Sequence, residues 1–450
     1  MDLFGTAGIR GPVEEVTPDL ALSVGRAAGE AGTEFVVGRD GRETGGTLAA
    51  AVTAGLESAG ADVVRAGVVP TPALAFASQG RHGIVITASH NPPPDNGLKL
   101  VVDGEEYDRE AERRIEERVE AGKGQIEWGA WGEVARADPL PAYRGAVADF
   151  ASGHGEDPDG LTVAVDCGNG MASLATPQVL TRLGADVRAL NANVDGHFPG
   201  RESKPTPESL SDLRAFVADG TANLGIGHDG DADRIVVVDG DGAVIHEDTV
   251  LAILAEHYVR ESDAADPVVV TTPNASARID ERVRAAGGRV ERVRLGALHE
   301  GIAAARESGS ADTSVVFAAE PWKHVHTALG GWIDGVASAA VFARLVASEG
   351  LATLREPVAE RPYRKESVRC PDDRKEAVMD CLERTLPDAF PEGAVDTEYG
   401  VRIELPDGAW TLVRPSGTEP YVRVYAESED VDGLVDEVTA VVSSAVEATE

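Results

Sequence analysis

The chain has little lysine, little cysteine and no long apolar run, and each scarcity removes a class of function. Of its 450 residues 41 are Lys or Arg, and only six of those are Lys (99, 123, 204, 323, 365 and 375). Against 77 Asp and Glu the formal charge is −36, a balance that repels phosphate backbones and anionic lipid and so excludes nucleic-acid and membrane-surface roles. Acidic surplus with so little Lys fits a halophilic, salt-rich cytoplasm, where self-repulsion is screened. Three scattered cysteines (Cys167, Cys370, Cys381) form neither a disulfide framework nor a zinc pattern. No apolar stretch approaches the ~20 residues that span a bilayer. The opening MDLFGTAGIRG also lacks the basic-then-apolar pattern of a signal peptide, so the sequon at Asn274 carries no weight. The expectation is a soluble, cytoplasmic protein.

What is present is alternation. EFVVGRD (34–40), ADVVRAG (61–67) and HGIVITASHN (82–91) read as strands, with an Ala-rich helix between the first two. A charged helix at about 107–121 precedes a candidate boundary near 145. The pattern restarts at LTVAVDCGNG and again at PVVVTTPNAS, each time over about 100 residues. After 360 it changes to hairpin-like strands followed by a helix. The expected division is 1–145, 146–250 and 251–360 as α/β units, and 361–450 as an α+β domain.

Three segments carry chemistry. In TASHNPPPDNGLK (87–99), Ser89 ends an apolar strand, His90 and Lys99 lie close by, and three prolines stiffen the loop. A rigid loop presenting one hydroxyl suits a covalent phosphoryl carrier, because in-line transfer depends on positioning; a Pro-rich turn with an incidental Ser is the plainer alternative. In DGDADR, Asp229, Asp231 and Asp233 crowd three carboxylates that a hard divalent cation would neutralise. Apolar flanks oppose the alternative of a solvated acidic turn. In RPSGTEP, Arg414, Ser416, Gly417 and Thr418, with Arg423 beyond, offer a donor-rich anion loop or a plain hairpin turn. Weaker signals are Arg10 in a Gly-rich turn, and Glu320, Lys323 and His324 after an apolar run.

Two motif matches fail. Gly225, Gly227 and Gly230 fit G-x-G-x-x-G, but a strand rather than a helix follows. An EF-hand would need Gly where Arg234 stands and Glu where Gly240 stands.

In this order, TASHNPP, DGDADR and RPSGTEP resemble the α-D-phosphohexomutase family, over essentially the whole chain. The resemblance implies three related α/β/α domains with mixed sheets, plus a C-terminal α+β domain like half of a TATA-binding fold, around a central cleft. It implies that Ser89 is phosphorylated and joins Asp229, Asp231 and Asp233 around one Mg²⁺ per chain, with Arg234 following. It also implies that Arg10, His90 and Lys99 move protons or contact phosphate. Arg414, Ser416, Gly417 and Thr418 would bind phosphate, and Glu320 would grip sugar hydroxyls. The implied reaction interconverts sugar 6- and 1-phosphates through a bisphosphorylated sugar, which could also serve as activator.

The sequence departs from the family in the sugar loop. The common Gly-Glu-x-Ser-Gly-His reads here Ala319-Glu320-Pro321-Trp322-Lys323-His324. Trp322 is expected to stand beside the sugar and narrow the pocket. The Glu-Pro start resembles archaeal phosphoglucosamine mutases, which makes glucosamine phosphate the leading substrate, ahead of glucose, mannose or pentose phosphates. A dehalogenase-type phosphatase using Asp229 as nucleophile, and a catalytically silent sugar-phosphate-binding protein, are the alternatives from other classes. The expected assembly is a monomer or homodimer.

Overall fold

The computed structural model describes residues 3–5, 8–122, 124–416 and 419–449. The chain forms two compact units, Met1–Val250 with Pro321–Leu354, and Leu251–Glu320 with Arg355–Glu450.

In the first unit the β-branched runs become strands buried on both faces, as parallel sheets require. β1 (Ile9–Pro12), β2 (Glu34–Arg39), β3 (Asp62–Val68), β4 (His82–Ile86), β5 (Asp95–Val102), β6 (Glu105–Glu106) and β7 (Val134–Arg136) make one mixed sheet. Its order is β1-β5-β4-β2-β3-β7, with β6 pairing off β5. β2 runs parallel to β3 and β4, whereas β5 returns antiparallel to β4. A second sheet repeats the plan. β8 (Thr162–Asp166), β9 (Asp186–Leu190) and β10 (Leu224–His228) are parallel, and β11 (Ile235–Val238) returns antiparallel to β10. In both sheets a buried parallel strand therefore ends in a short loop that turns straight into an antiparallel neighbour. Ser89 lies in the first such loop and the three aspartates in the second.

α1 (Pro18–Ala28) starts with Pro at its first position and Thr17 Oγ1 accepting the Leu20 N–H at 3.2 Å. It crosses α2 (Gly45–Ser58) at glycines. A Cβ on Gly25 would collide with the Val52 carbonyl, and one on Gly55 with the Leu22 carbonyl. Beneath the helices lies a core of Phe35, Val37, Leu48, Val52, Leu56, Ile84 and Ile86. Further along, Asp334 caps the helix Gly335–Glu349 through the Ala337 N–H (2.8 Å) and accepts bonds from the Tyr143 hydroxyl (2.8 Å) and the Trp332 indole (3.0 Å).

In the second unit β12 (Asp266–Thr271), β13 (Arg289–Arg292) and β14 (Thr313–Glu320) are parallel, with β12 central. The C-terminal sheet is antiparallel throughout, in the order Tyr363–Arg369, Tyr421–Glu427, Trp410–Pro415, Val401–Glu404, Ala394–Asp396. Helices Lys375–Ala389 and Val431–Ala448 supply Val378, Leu382, Val438 and Val442 to its core, with Ile403, Val413 and Val424 from the strands. Mixed α/β sheets followed by an antiparallel C-terminal domain are the expected fold class. Among the described residues no helix is long and apolar enough to cross a membrane.

The α1–α2 crossing yields the first prediction. Gly55→Val forces a branched side chain against backbone and lowers stability by about 1–3 kcal/mol, read as a fall in the urea midpoint at unchanged slope.

Candidate active site

Ser89 sits between β4 and β5 with φ +50°, a left-handed conformation unusual for a residue other than glycine, and its side chain is fully buried. The loop is held from inside by Arg42. This guanidinium is also fully buried, donates to the carbonyls of Ser89 (2.8 Å), Asn91 (2.7 Å), Pro92 (2.6 Å) and Asp95 (2.9 Å), and pairs with Asp40 at 3.0 Å. Phe198 lies under it, 5.1 Å from ring centre to guanidinium carbon. Asp40 also accepts from the Thr87 hydroxyl (2.7 Å), which in turn accepts the Ser89 N–H (2.9 Å). The Ser89 backbone is thus fixed at both its N–H and its carbonyl.

The Ser89 hydroxyl donates to Asp229 Oδ2 at 2.9 Å, and His90 Nδ1 stands 3.4 Å from the Ser89 Oγ. The loop bearing Ser89 and the loop bearing the aspartates therefore meet. Gly230 makes the approach possible, since a Cβ there would lie 2.6 Å from the Ser89 carbonyl. Asp229, Asp231 and Asp233 are all buried, and a carboxylate oxygen of each lies within 4.8 Å of the others. Thr71 pins Asp231 by hydroxyl-to-carboxylate (2.6 Å) and N–H-to-carbonyl (3.0 Å) bonds. Asp231 Oδ1 and Asp233 Oδ1 are buried without a hydrogen-bond partner. Oxygen-only donors, orphaned and converging, fit a hard divalent cation.

Positive charge surrounds the trio. Arg234 Nε lies 3.7 Å from Asp229 and 3.8 Å from Asp233, and Lys99 Nζ lies 3.7 Å from Asp233 and 2.9 Å from Glu106. Burial and its two acidic neighbours push the Asp229 carboxyl far above the usual range. Burial pushes Asp233 the same way, but Lys99, Arg234, Lys323 and Arg10 outweigh it and hold its carboxyl well below that range. Burial, then Arg234 and Arg10, bring the His90 imidazole down to about 3. Burial works against the Lys99 ammonium, yet Glu106 and Asp233 raise it overall. Arg10 reaches this cluster from β1, where it pairs with Gly97 of β5.

In the sugar loop Trp322 has φ +69°, and its half-buried indole lies against the core patch that includes Leu210, Val217, Val236 and Val238. Lys323 faces the acids and bridges Arg234 backbone to backbone. His324 is buried, its Nδ1 3.0 Å from the Ser338 hydroxyl, and burial lowers it to about 3.

In the second unit Glu320 ends β14 and accepts the Gly296 N–H. Arg414 and Arg423 stand directly opposite on neighbouring strands, an arrangement of like charges that an anion would relieve. Arg414 donates to the Tyr425 hydroxyl at 2.8 Å, and Arg423 pairs with Glu419. Ser416 is buried, and its N–H donates to the Tyr421 carbonyl at 2.9 Å. Gly417 and Thr418 lie outside the described residues. Lys375 straps the loop by donating to the Ser416 (2.5 Å) and Glu419 (2.6 Å) carbonyls.

Sequence reasoning missed Arg42, Thr71 and Lys375. The Asp40–Arg42 spacing after a buried strand was the available signal for the first. The other two act across long sequence separations, Thr71 on Asp231 and Lys375 on the Ser416 and Glu419 carbonyls, and leave none.

Two site loops that meet over a buried acidic trio, on paired mixed sheets, define a phosphoryl-transfer fold. The chain belongs to the phosphoglucomutase/phosphomannomutase family of phosphohexomutases. Its models match α/β/α domain I over 1–125, α/β/α domain II over 143–242 and the C-terminal domain over 367–443. A phosphopentomutase of Thermococcus kodakarensis is 43 % identical over 441 residues, covering 95 % of this chain and 94 % of that protein. A probable phosphoglucosamine mutase of Methanopyrus kandleri is 43 % identical over 459 residues, covering 99 % and 98 %. Among solved structures, a phosphoglucomutase/phosphomannomutase family protein of Burkholderia thailandensis superposes with TM-score 0.85 at 28 % identity, covering 98 % of this chain and 97 % of that one.

Two substitutions test the supports. Arg42→Lys leaves one ammonium for four carbonyls, and turnover falls about 10²-fold while far-UV circular dichroism stays native. Lys375→Met frees the loop's carbonyls and raises KM for the phosphosugar about tenfold with little change in kcat, a split read from steady-state kinetics.

Proposed function

We propose that the chain interconverts the 6- and 1-phosphates of an amino sugar, with glucosamine phosphate as substrate and Ser89 as phosphoryl carrier. The observation that carries this reading is the 2.9 Å bond from Ser89 to Asp229 beside two orphaned carboxylate oxygens. In the first half-reaction the Ser89 Oγ–P bond breaks as a bond from phosphorus to the sugar hydroxyl oxygen forms, and the hydroxyl proton passes to the neutral His90, while Lys99, kept protonated by Glu106 and Asp233, is a fixed cation. The bisphosphorylated sugar then presents its other phosphate, whose phosphoryl group returns to Ser89 as the proton is given back. Asp229, Asp231 and Asp233 would hold Mg²⁺, which supplies positive charge to phosphoryl oxygens. Arg10 and Arg234 add fixed charge at the same place. The Arg414–Arg423 loop supplies donors for the phosphate that is not reacting, and Glu320, Lys323 and His324 are the sugar-facing groups.

The four-domain division (1–145, 146–250, 251–360, 361–450) belongs to this reading, as do a cytoplasmic setting and, from the charge of −36, a saline one. A pentose phosphate is the second substrate reading, favoured by the 43 % identity to a phosphopentomutase. The phosphatase alternative fits poorly, because both Asp229 oxygens are engaged, by the Ser89 hydroxyl and by the Arg234 N–H at 3.2 Å.

Labelled phosphosugar decides the class. The expected result is label on Ser89, lost together with turnover in Ser89→Ala; label on Asp229, or unchanged turnover in Ser89→Ala, overturns the mutase mechanism. A Mg²⁺ assay across glucosamine, glucose, mannose and ribose phosphates is expected to give the highest kcat/KM with glucosamine phosphate. Ribose phosphate ranking first would replace the substrate and leave the mechanism standing.

A further inference from the structure

A cavity of about 150 Å³ lies between α2 and strands β2 and β3, lined by Val37, Gly38, Arg39, Gly46, Ala49, Ala50, Thr53, Arg65 and Gly67. None of these residues is acidic, in a chain where acids outnumber bases 77 to 41. Some arginines of the same unit are matched by acids, as Arg81 is with Glu34, Arg109 with Glu112 and Arg114 with Glu110, while others, such as Arg118 and Arg144, bond backbone carbonyls. Among the described residues neither Arg39 nor Arg65 has a carboxylate partner. The side-chain bond of Arg39 is to the Asp40 carbonyl (3.0 Å), and Arg65 Nε is buried with no partner. Two guanidinium groups on one small cavity repel each other, and a buried donor left without an acceptor loses its hydration uncompensated.

The backbone adds to this. The β2–β3 register shifts between Val37 and Gly38, so that Ala66 is an extra residue and Arg65 and Gly67 flank a bulge at the cavity. Gly46, the second residue of α2, lies in the first helical turn, whose N–H groups have no acceptor within the helix, and Thr44 makes no side-chain cap bond to them. A Cβ at Gly46 or Gly67 would meet nothing within 4 Å, so the cavity mouth is open.

We infer that this cavity is a second anion site, taking a small tetrahedral oxyanion such as inorganic phosphate between Arg39, Arg65 and the Gly46 N–H. A volume of about 150 Å³ admits a phosphate group, and the open mouth leaves an ester substituent outside it. The site does not depend on the mutase reading, since none of its residues belongs to the machinery proposed above.

The test uses the full chain. Crystals soaked in selenate are expected to show anomalous density between the Arg39 and Arg65 guanidinium groups. Calorimetric titration with inorganic phosphate, in an Arg414→Met background that weakens the other anion loop, is expected to lose at least tenfold in affinity on Arg65→Met. Gly67→Asp places a carboxylate at the open mouth, in a backbone conformation Asp tolerates, and is expected to do the same with both arginines intact. Glycerol 3-phosphate binding as well as phosphate assigns the site to phosphomonoesters, and weaker binding assigns it to the free ion. Selenate found only at the Arg414 loop, or parental phosphate affinity in both variants, overturns the proposal.

Discussion

Three buried carboxylates within 4.8 Å of one another are the constraint around which the first unit is built. At an effective dielectric of ~20, each pair of unit charges at that spacing repels by about 3–4 kcal/mol. No loop holds such a cluster unaided. Here the ends of two sheets are joined through Ser89 and Asp229, Thr71 fixes the middle acid, and Lys99, Arg234, Arg10 and Lys323 surround the third. The acids consequently divide, with Asp229 favouring its protonated form and Asp233 its ionised one. A cation that coordinated all three would remove the difference, so the geometry is arranged for a charge larger than the side chains alone provide.

Backbone strain gathers at the same places. Ser89, Ala232 and Trp322, three of the seven non-glycine residues with positive φ among the described residues, lie in the serine, aspartate and sugar loops. Each costs on the order of 1–2 kcal/mol against an extended or helical alternative. Buried strand ends and the Arg42 clamp over-determine these turns, which is how a rigid scaffold keeps a hydroxyl aimed where relaxed backbone would turn it away.

The parts legible in sequence were those written in local pattern. Runs such as EFVV, GIVI and VVV give buried strands because only β-branched and aromatic residues fill both faces of a parallel sheet, and Ser89 and the aspartates could be placed at strand ends from the same runs. Side-chain direction was not legible. Trp322 illustrates this: the residue type gives its width, but only φ +69° shows that the indole lies against the core patch of the second sheet. Arg42 was invisible for a related reason. In a chain with 35 arginines a buried one looks like the solvated rest, and only the carbonyls it gathers distinguish it.

The six lysines sharpen the point. Lys99 and Lys375 occupy positions where a compact ammonium is set between close oxygens: Glu106 and Asp233 for one, two loop carbonyls and Asp372 (2.5 Å) for the other. A planar guanidinium holds its donors in one fixed plane, as at Arg42 with its four carbonyls and Asp40, whereas an ammonium turns three donors toward oxygens that close in around a point. A surface at −36 repels a phosphorylated sugar at long range, and salt shortens that repulsion to about a Debye length. Inside that distance the fixed cations of each loop decide whether the anion is held, so global and local charge of opposite sign coexist without conflict.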